Sequence, residues 1–181
     1  MTRCAYRGVS FSEAKMVVDR QKYERNELRA FQNGIAARSS FGDGVYLIND
    51  KELAAQYAFC HAEVEDKELA AVLSQKICFK NPFILNYQFT EPRLRKEALR
   101  WKYKGKDFPN KEELNNPKEL YEQIGNDIKE YLLYHLYDGI IYHVDEEIIY
   151  YVLYDQENQI KDIDMELIFN IKGSKKLPFY F

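Results

Sequence analysis

The stretch from Phe41 to Ala58, FGDGVYLINDKELAAQYA, changes its period within a few residues, and that change constrains the fold more than any other feature of the chain. Two glycines lead into Val-Tyr-Leu-Ile, a short apolar run bounded by turn residues, which predicts a buried strand. Asn49 or Asp50 can then cap a helix on which Leu53, Ala54 and Tyr57 share one face through three- and four-residue spacing, with an expected end near His61. Tyr46 is thereby placed on a sheet and Tyr57, eleven residues later, on the helix that follows it. Either ring, taken without its surroundings, reads as an ordinary core aromatic.

The remaining segments predict further strands and helices. RCAYRGV forms a strand ending at Gly8, and the Ser-x-x-Glu spacing of Ser10 to Glu13 predicts a capped helix that continues to about Phe31. Asn33 to Gly44 has the Gly and Ser content of a mobile loop. LAAVLSQKICF, from Leu69 to Phe79, is a strand, and FILNY after Asn81-Pro82 is a second extended piece. Two helices follow, the basic RLRKEALRWKYK and a second one capped by Asn116 with Pro117 at its first position. Asp138-Gly139 breaks that helix. IIYHV and EIIYYVLYD form a hairpin about Asp145-Glu146, and DIDMELIFNI is the last strand. The expectation is a single α+β domain over residues 1–181 with a mostly antiparallel sheet.

Charge and cysteine usage remove some function classes. The 29 acidic residues nearly balance the 26 basic ones, so the net charge of −3 gives no global attraction to nucleic acid or to an anionic membrane. Cys4, Cys60 and Cys78 have no metal-like spacing, His135 and His143 have no metal-like companions, and no metal is expected. No apolar run approaches the roughly 20 residues of a membrane span, and there is no secretory signal, so a soluble cytoplasmic protein is expected.

Four pieces in order, YRG at Tyr6 to Gly8, FGDGVY with its later Tyr57, FKNPFILN at Phe79 to Asn86, and YDGIIY…YYVLYDQENQIK at Tyr137 to Lys161, resemble the ADP-ribosyltransferase fold family. The likeness is to the branch of poly(ADP-ribose) polymerases, diphtheria-type toxins and small bacterial and phage transferases, and it spans about Tyr6 to Ile163. It implies a split, mostly antiparallel sheet with N-terminal and inserted helices, and NAD as co-substrate. Arg7 would hold the adenosine ribose or a phosphate, the Gly8 backbone would meet the nicotinamide amide, and Tyr46 and Tyr57 would stack on the nicotinamide ring. Loss of nicotinamide leaves an oxocarbenium-like ribose, which a nearby carboxylate stabilises.

The chain departs from that pattern twice. Ala54 stands where the family often has a serine that reaches the nicotinamide amide, and Tyr150 stands where its catalytic glutamate is expected, before YVLYD. Glu146 shares strand parity with Tyr150 but lies about 13 Å up an ideal strand, and Glu147 needs a bulge to face the same way. Both read first as a solvated hairpin turn; the acidic DEE of Asp145 to Glu147 also resembles the mouth of the corresponding strand in the Arg-Ser-Glu toxin branch. The resemblance implies mono-ADP-ribosyl transfer to a protein or nucleic-acid acceptor, with Arg7, Tyr46, Tyr150 and Glu147 at the chemical step. A toxin or defence role, with an antitoxin or regulatory partner, follows from the same likeness. The alternatives are a catalytically degenerate module that binds NAD, ADP-ribose or a partner, and a phosphotransferase acting on RNA, for which the core motifs lack basic anchors. From Glu91 to Lys111, eight Lys or Arg stand against three acids with Trp101 and Tyr103 between them, a composition that suits a phosphate backbone and a stacked base, or a solvated helix face.

Overall fold

The computed structural model describes residues 2–24, 40–104 and 117–172. The chain runs β1 (Thr2–Ser10), α1 (Phe11–Arg20), β2 (Val45–Ile48), α2 (Lys51–Val64), β3 (Leu69–Cys78) and β4 (Pro82–Leu85). It continues with α3 (Glu91–Tyr103), α4 (Pro117–Tyr134), β5 (Gly139–His143), β6 (Ile149–Leu153), the single turn α5 (Gln156–Gln159) and β7 (Ile160–Asn170). The strands make one seven-stranded sheet in the order β4-β5-β6-β2-β1-β3-β7, antiparallel throughout except for the β4–β5 pair. The α+β expectation with a mostly antiparallel sheet describes it.

Local signals account for most boundaries. Ser10 caps α1 by accepting from the Glu13 amide at 3.4 Å, and Asp50, rather than Asn49, caps α2 by accepting from Leu53 at 2.6 Å. β1 passes Gly8 and reaches Ser10, and α2 passes His61 to end at Val64. The larger correction is α1, which stops at Arg20 instead of continuing to about Phe31. Gln21 turns left-handed with φ 51°, and its side-chain amide donates to the carbonyls of Val18 and Ile163 while accepting from the Ile163 amide. The stop therefore depends on a strand residue 142 positions away. Asn33 to Ser39, Asn116, and the end of the basic segment beyond Lys104 lie outside the described residues.

Side-chain alternation divides the core between the two faces of the sheet. Ala5, Val9, Val45, Leu47, Leu73, Tyr151 and Leu153 point to one face, where Ala14 and Val17 of α1 cover them. The opposite face carries two separate clusters. Ala54, Ala58 and Ala62 of α2 pack on Ala70, Val72 and Ile48, whereas Leu94 and Ala98 of α3 and Ile124, Ile128 and Leu132 of α4 pack over Leu85, Ile140 and Val152. A seam between α2 and the α3–α4 pair therefore crosses the middle of the sheet. Neighbouring residues of one strand fall on its two sides: Tyr46 with α3–α4 and Ile48 with α2, Val152 with α3–α4 and Tyr150 with α2.

Under the seam the sheet is thinly joined. β1 and β3 pair along nine residues, while β1 meets β2 through Tyr6 and Ile48 alone. Gly8 lies beyond that pair, toward the end of β1. A Cβ on Gly8 would stand 1.9 Å from the Ala54 carbonyl oxygen and 2.4 Å from the Ala58 nitrogen, so the glycine lets α2 lie directly against β1.

Candidate functional site

The tyrosines that flank the seam come from five elements. Tyr57 projects from α2 and its hydroxyl lies 2.8 Å from that of Tyr150 on β6. Tyr150 is opposite Ile48 on one side and Tyr142 of β5 on the other, and Ile48 is in turn opposite Tyr6 of β1. A row of side chains Tyr142, Tyr150, Ile48, Tyr6 thus crosses four strands on one face. Tyr46 stands one step along β2 on the same face, in the cluster beneath α3 and α4.

Tyr46 is held through both functions of its hydroxyl. The Tyr46 hydroxyl donates to the Gly42 carbonyl at 2.7 Å and accepts from the Phe41 amide at 3.2 Å. The turn it braces is pinned from other directions: Tyr154 donates to the Phe41 carbonyl at 2.8 Å and Lys129 to the Asp43 carbonyl at 2.7 Å. Gly42, at φ 83°, sits where a Cβ would meet the Gly125 carbonyl oxygen at 2.6 Å. The described end of the expected mobile loop, Ser40 to Gly44, is therefore a fixed turn.

Burial sets the protonation of the site. Desolvation pushes the Tyr150 hydroxyl well above the ordinary tyrosine value, and the Tyr57 hydroxyl and the charge of Asp50 push it further the same way. Desolvation likewise raises Tyr46, against a smaller opposing effect from the Phe41 amide. At neutral pH Tyr150 is thus a neutral O–H and supplies no negative charge. It can hydrogen-bond a ribose hydroxyl; it cannot act as a carboxylate.

The other residues singled out in the sequence fall elsewhere. Arg7 occupies the opposite face of β1 from Tyr6 and Gly8, its guanidinium 4.8 Å from the centre of the Tyr23 ring. Tyr23 is clamped by Gln156, which accepts from its amide at 2.9 Å and donates to its carbonyl at 3.0 Å, and it lines a cleft of ≈580 Å³ together with Arg20, Lys22 and Asp155. Ala54 is fully buried and its backbone touches Gly8, so it is a packing residue at the β1–α2 contact. Glu146 and Glu147 are exposed in the hairpin turn. β6 pairs without interruption from Ile149 to Leu153, so no bulge turns Glu147 onto the tyrosine face. Asp145 caps that turn by accepting from Ile148 at 2.6 Å and Glu147 at 2.8 Å, and those two amides hold its carboxyl below the usual range.

Sequence reasoning missed three contributors. Tyr6 and Tyr142 were legible from strand parity alone. Asn49, considered only as a helix cap, instead ties β2 to the hairpin: its amide group donates to the Glu147 carbonyl at 2.7 Å and accepts from the Ile149 amide at 2.8 Å. Among the described residues no group of three or more His, Cys, Asp or Glu is placed to hold a metal ion, and no helix is long and apolar enough to cross a membrane. Comparison with family models, curated proteins and solved structures returns no match.

Proposed function

We propose that this chain is a mono-ADP-ribosyltransferase of the ADP-ribosyltransferase fold, which binds NAD along the tyrosine seam, releases nicotinamide and passes ADP-ribose to a macromolecular acceptor. The observation that carries the reading is the 2.8 Å contact between Tyr57 and Tyr150. Two residues 93 positions apart, which the family motifs assign to one site, meet on one face of the sheet beside Tyr46.

The parts have distinct roles in this reading. Tyr46 and Tyr57 stand on either side of the seam, and in this reading they would stack on the nicotinamide, whose fixed orientation would lower the barrier. The single β1–β2 pair leaves the strands unjoined toward Gly8, where backbone groups can meet an amide. The resemblance implies a split sheet; the seven strands here form one sheet, and this join is its thinnest. Arg7 lies on the face of the sheet opposite the seam, and Arg20 and Lys22 near it pair with Glu24 and Glu157 in a cleft that also holds Asp155, so this side offers a diphosphate no net positive charge.

As nicotinamide leaves, positive charge develops on the ribose. A neutral Tyr150 hydroxyl can hold a ribose hydroxyl but offers a weaker field than a carboxylate, so a slow transferase is expected. Asp50, whose charge bears on Tyr150, is the carboxylate nearest in electrostatic effect. The same neutrality favours a second reading, in which the seam binds NAD or ADP-ribose without turnover.

Calorimetric titration with NAD tests the site. Tyr57→Ala should weaken binding about tenfold or more, a loss of one stacking face, whereas Glu147→Ala in the exposed turn should leave it unchanged. Negligible effects of both substitutions would remove the seam as the NAD site.

A further inference from the structure

A second surface is built on α3 and α4, away from the seam. Tyr103 reaches Asp127 at 2.9 Å while Trp101 reaches Tyr131 and Tyr134, so the two helices run antiparallel. Trp101 lies 4.9 Å from Tyr134 and 5.8 Å from Tyr131, and Tyr131 lies 4.6 Å from His135. Trp101 and Tyr131 are half-buried, but the outer edge of the cluster is open: Tyr134 is 67% exposed, and Leu133 and Leu136 beside it are 45% and 81% exposed. Large rings left this open at one spot mark a surface that meets a partner.

The charges around the rings decide which partner. α3 carries five cations, and a sixth, Lys104, is its C-cap. Arg93 pairs with Glu97, Arg95 with Glu91, and Lys102 with Glu130, so these three cations and three carboxylates largely neutralise one another. Asp127 is 1% exposed behind Lys102 and accepts from Tyr103 and Gln123. That leaves Lys96, Arg100 and Lys104, none of which has an ion pair among the described residues. Lys96 and Arg100 stand one turn apart, about 6 Å along the helix, and Lys104 follows as its left-handed C-cap, so the three lie in sequence toward the end of α3. Glu97 stands on the same flank, and the Tyr131 hydroxyl reaches it at 3.5 Å, which ties those cations to the ring cluster.

A run of cations beside partly open rings matches a polymer that alternates phosphates with flat bases. An acidic peptide would satisfy the cations and leave the rings unused, and a duplex hides its base faces. We propose that this face of α3 and α4 binds single-stranded nucleic acid, with Trp101 and Tyr134 stacking bases and Lys96, Arg100 and Lys104 following the phosphates. The surface shares no residue with the NAD seam, and the proposal holds or fails without it.

Trp101 is the only tryptophan of the chain, so intrinsic tryptophan fluorescence reports on this surface alone. The full chain, without NAD, is titrated with single-stranded oligodeoxythymidylate and oligouridylate of roughly 12 nucleotides at low salt, with polyglutamate as a charge control. Saturable quenching by the oligonucleotides is expected, with log affinity falling against log salt at a slope of about −2, as three phosphate contacts on a single strand require. The double variant Lys96→Glu/Arg100→Glu should weaken binding tenfold or more. Tyr134→Ala, at an exposed position, should reduce the quenching with an unchanged melting curve. No quenching, equal quenching by polyglutamate, or binding indifferent to the charge reversals would overturn the proposal.

Discussion

The Tyr57 hydroxyl sits 2.8 Å from the Tyr150 hydroxyl and joins helix α2 to strand β6 on the α2 side of the seam. A neutral hydroxyl pair of this kind contributes about 1 kcal/mol net. Tyr57→Phe and Tyr150→Phe should each lower the unfolding free energy by roughly that amount. Their losses should not add in the double variant, because both remove one interaction. Urea denaturation of the four proteins measures the coupling; strict additivity would show that the two hydroxyls act independently.

Gly8 sets the distance between β1 and α2. A methyl group there would fall 1.9 Å from the Ala54 backbone oxygen, and a helix backbone cannot yield as a flexible side chain can. Gly8→Ala is expected to destabilise the chain by about 3 kcal/mol or more, at the upper end of overpacking costs. The reverse test is Ala54→Gly, which relieves nothing because the clash is with backbone, and so should not rescue Gly8→Ala.

Asn49 latches the hairpin that carries Tyr150. Removing its side chain deletes bonds to the Glu147 carbonyl and the Ile149 amide, and Asn49→Ala should cost about 1–2 kcal/mol. Hydrogen exchange resolves the effect locally: the Ile149 amide should exchange faster, while amides of β3 keep the protection set by global unfolding. Unchanged protection at Ile149 would show that the latch is dispensable.

High pH should unfold the protein through its buried tyrosines. Burial, as the largest cause, raises Tyr150, Tyr46 and Tyr154 above the ordinary value of about 10, and burial with the Asp127 carboxylate raises Tyr103 to about 12. Below pH about 10 these phenols are protonated in both states and their contribution to stability is intact. Above it the unfolded chain releases protons that the folded chain retains, so stability falls as pH rises. Urea midpoints should match at pH 8 and 9 and drop by pH 11; a midpoint rising over that interval would contradict the assignment.

Elements with local causes were legible in the sequence. The caps at Ser10 and Asp50, Pro117 at the start of α4 and the hairpin through Asp145 each rest on residues within one turn of one another. The end of α1 was not, since Gln21 is held left-handed by contacts to Ile163 that no local pattern announces. At the site, order and spacing brought Tyr46, Tyr57 and Tyr150 to one face. Arg7 and Gly8 were assigned together, yet consecutive strand residues point to opposite faces, and alternation alone separates them. Against the family pattern Ala54 is a missing hydroxyl; with Ala58 and Ala62 as a stripe at four-residue spacing opposite a strand glycine, it signals close packing instead.

The central claim is NAD turnover at the tyrosine seam. The most direct measurement is incubation of the purified chain with labelled NAD and a bacterial lysate, separated into protein and nucleic-acid fractions, with free nicotinamide followed in parallel. The wild-type chain should release nicotinamide and label one fraction. Tyr57→Ala should abolish both, and Tyr150→Glu, which places a carboxylate where ribose charge develops, should raise release about tenfold or more. NAD binding with neither release nor label, in the wild type and in Tyr150→Glu, would contradict the transferase and leave a binding module; release indifferent to both substitutions would place the chemistry away from the seam.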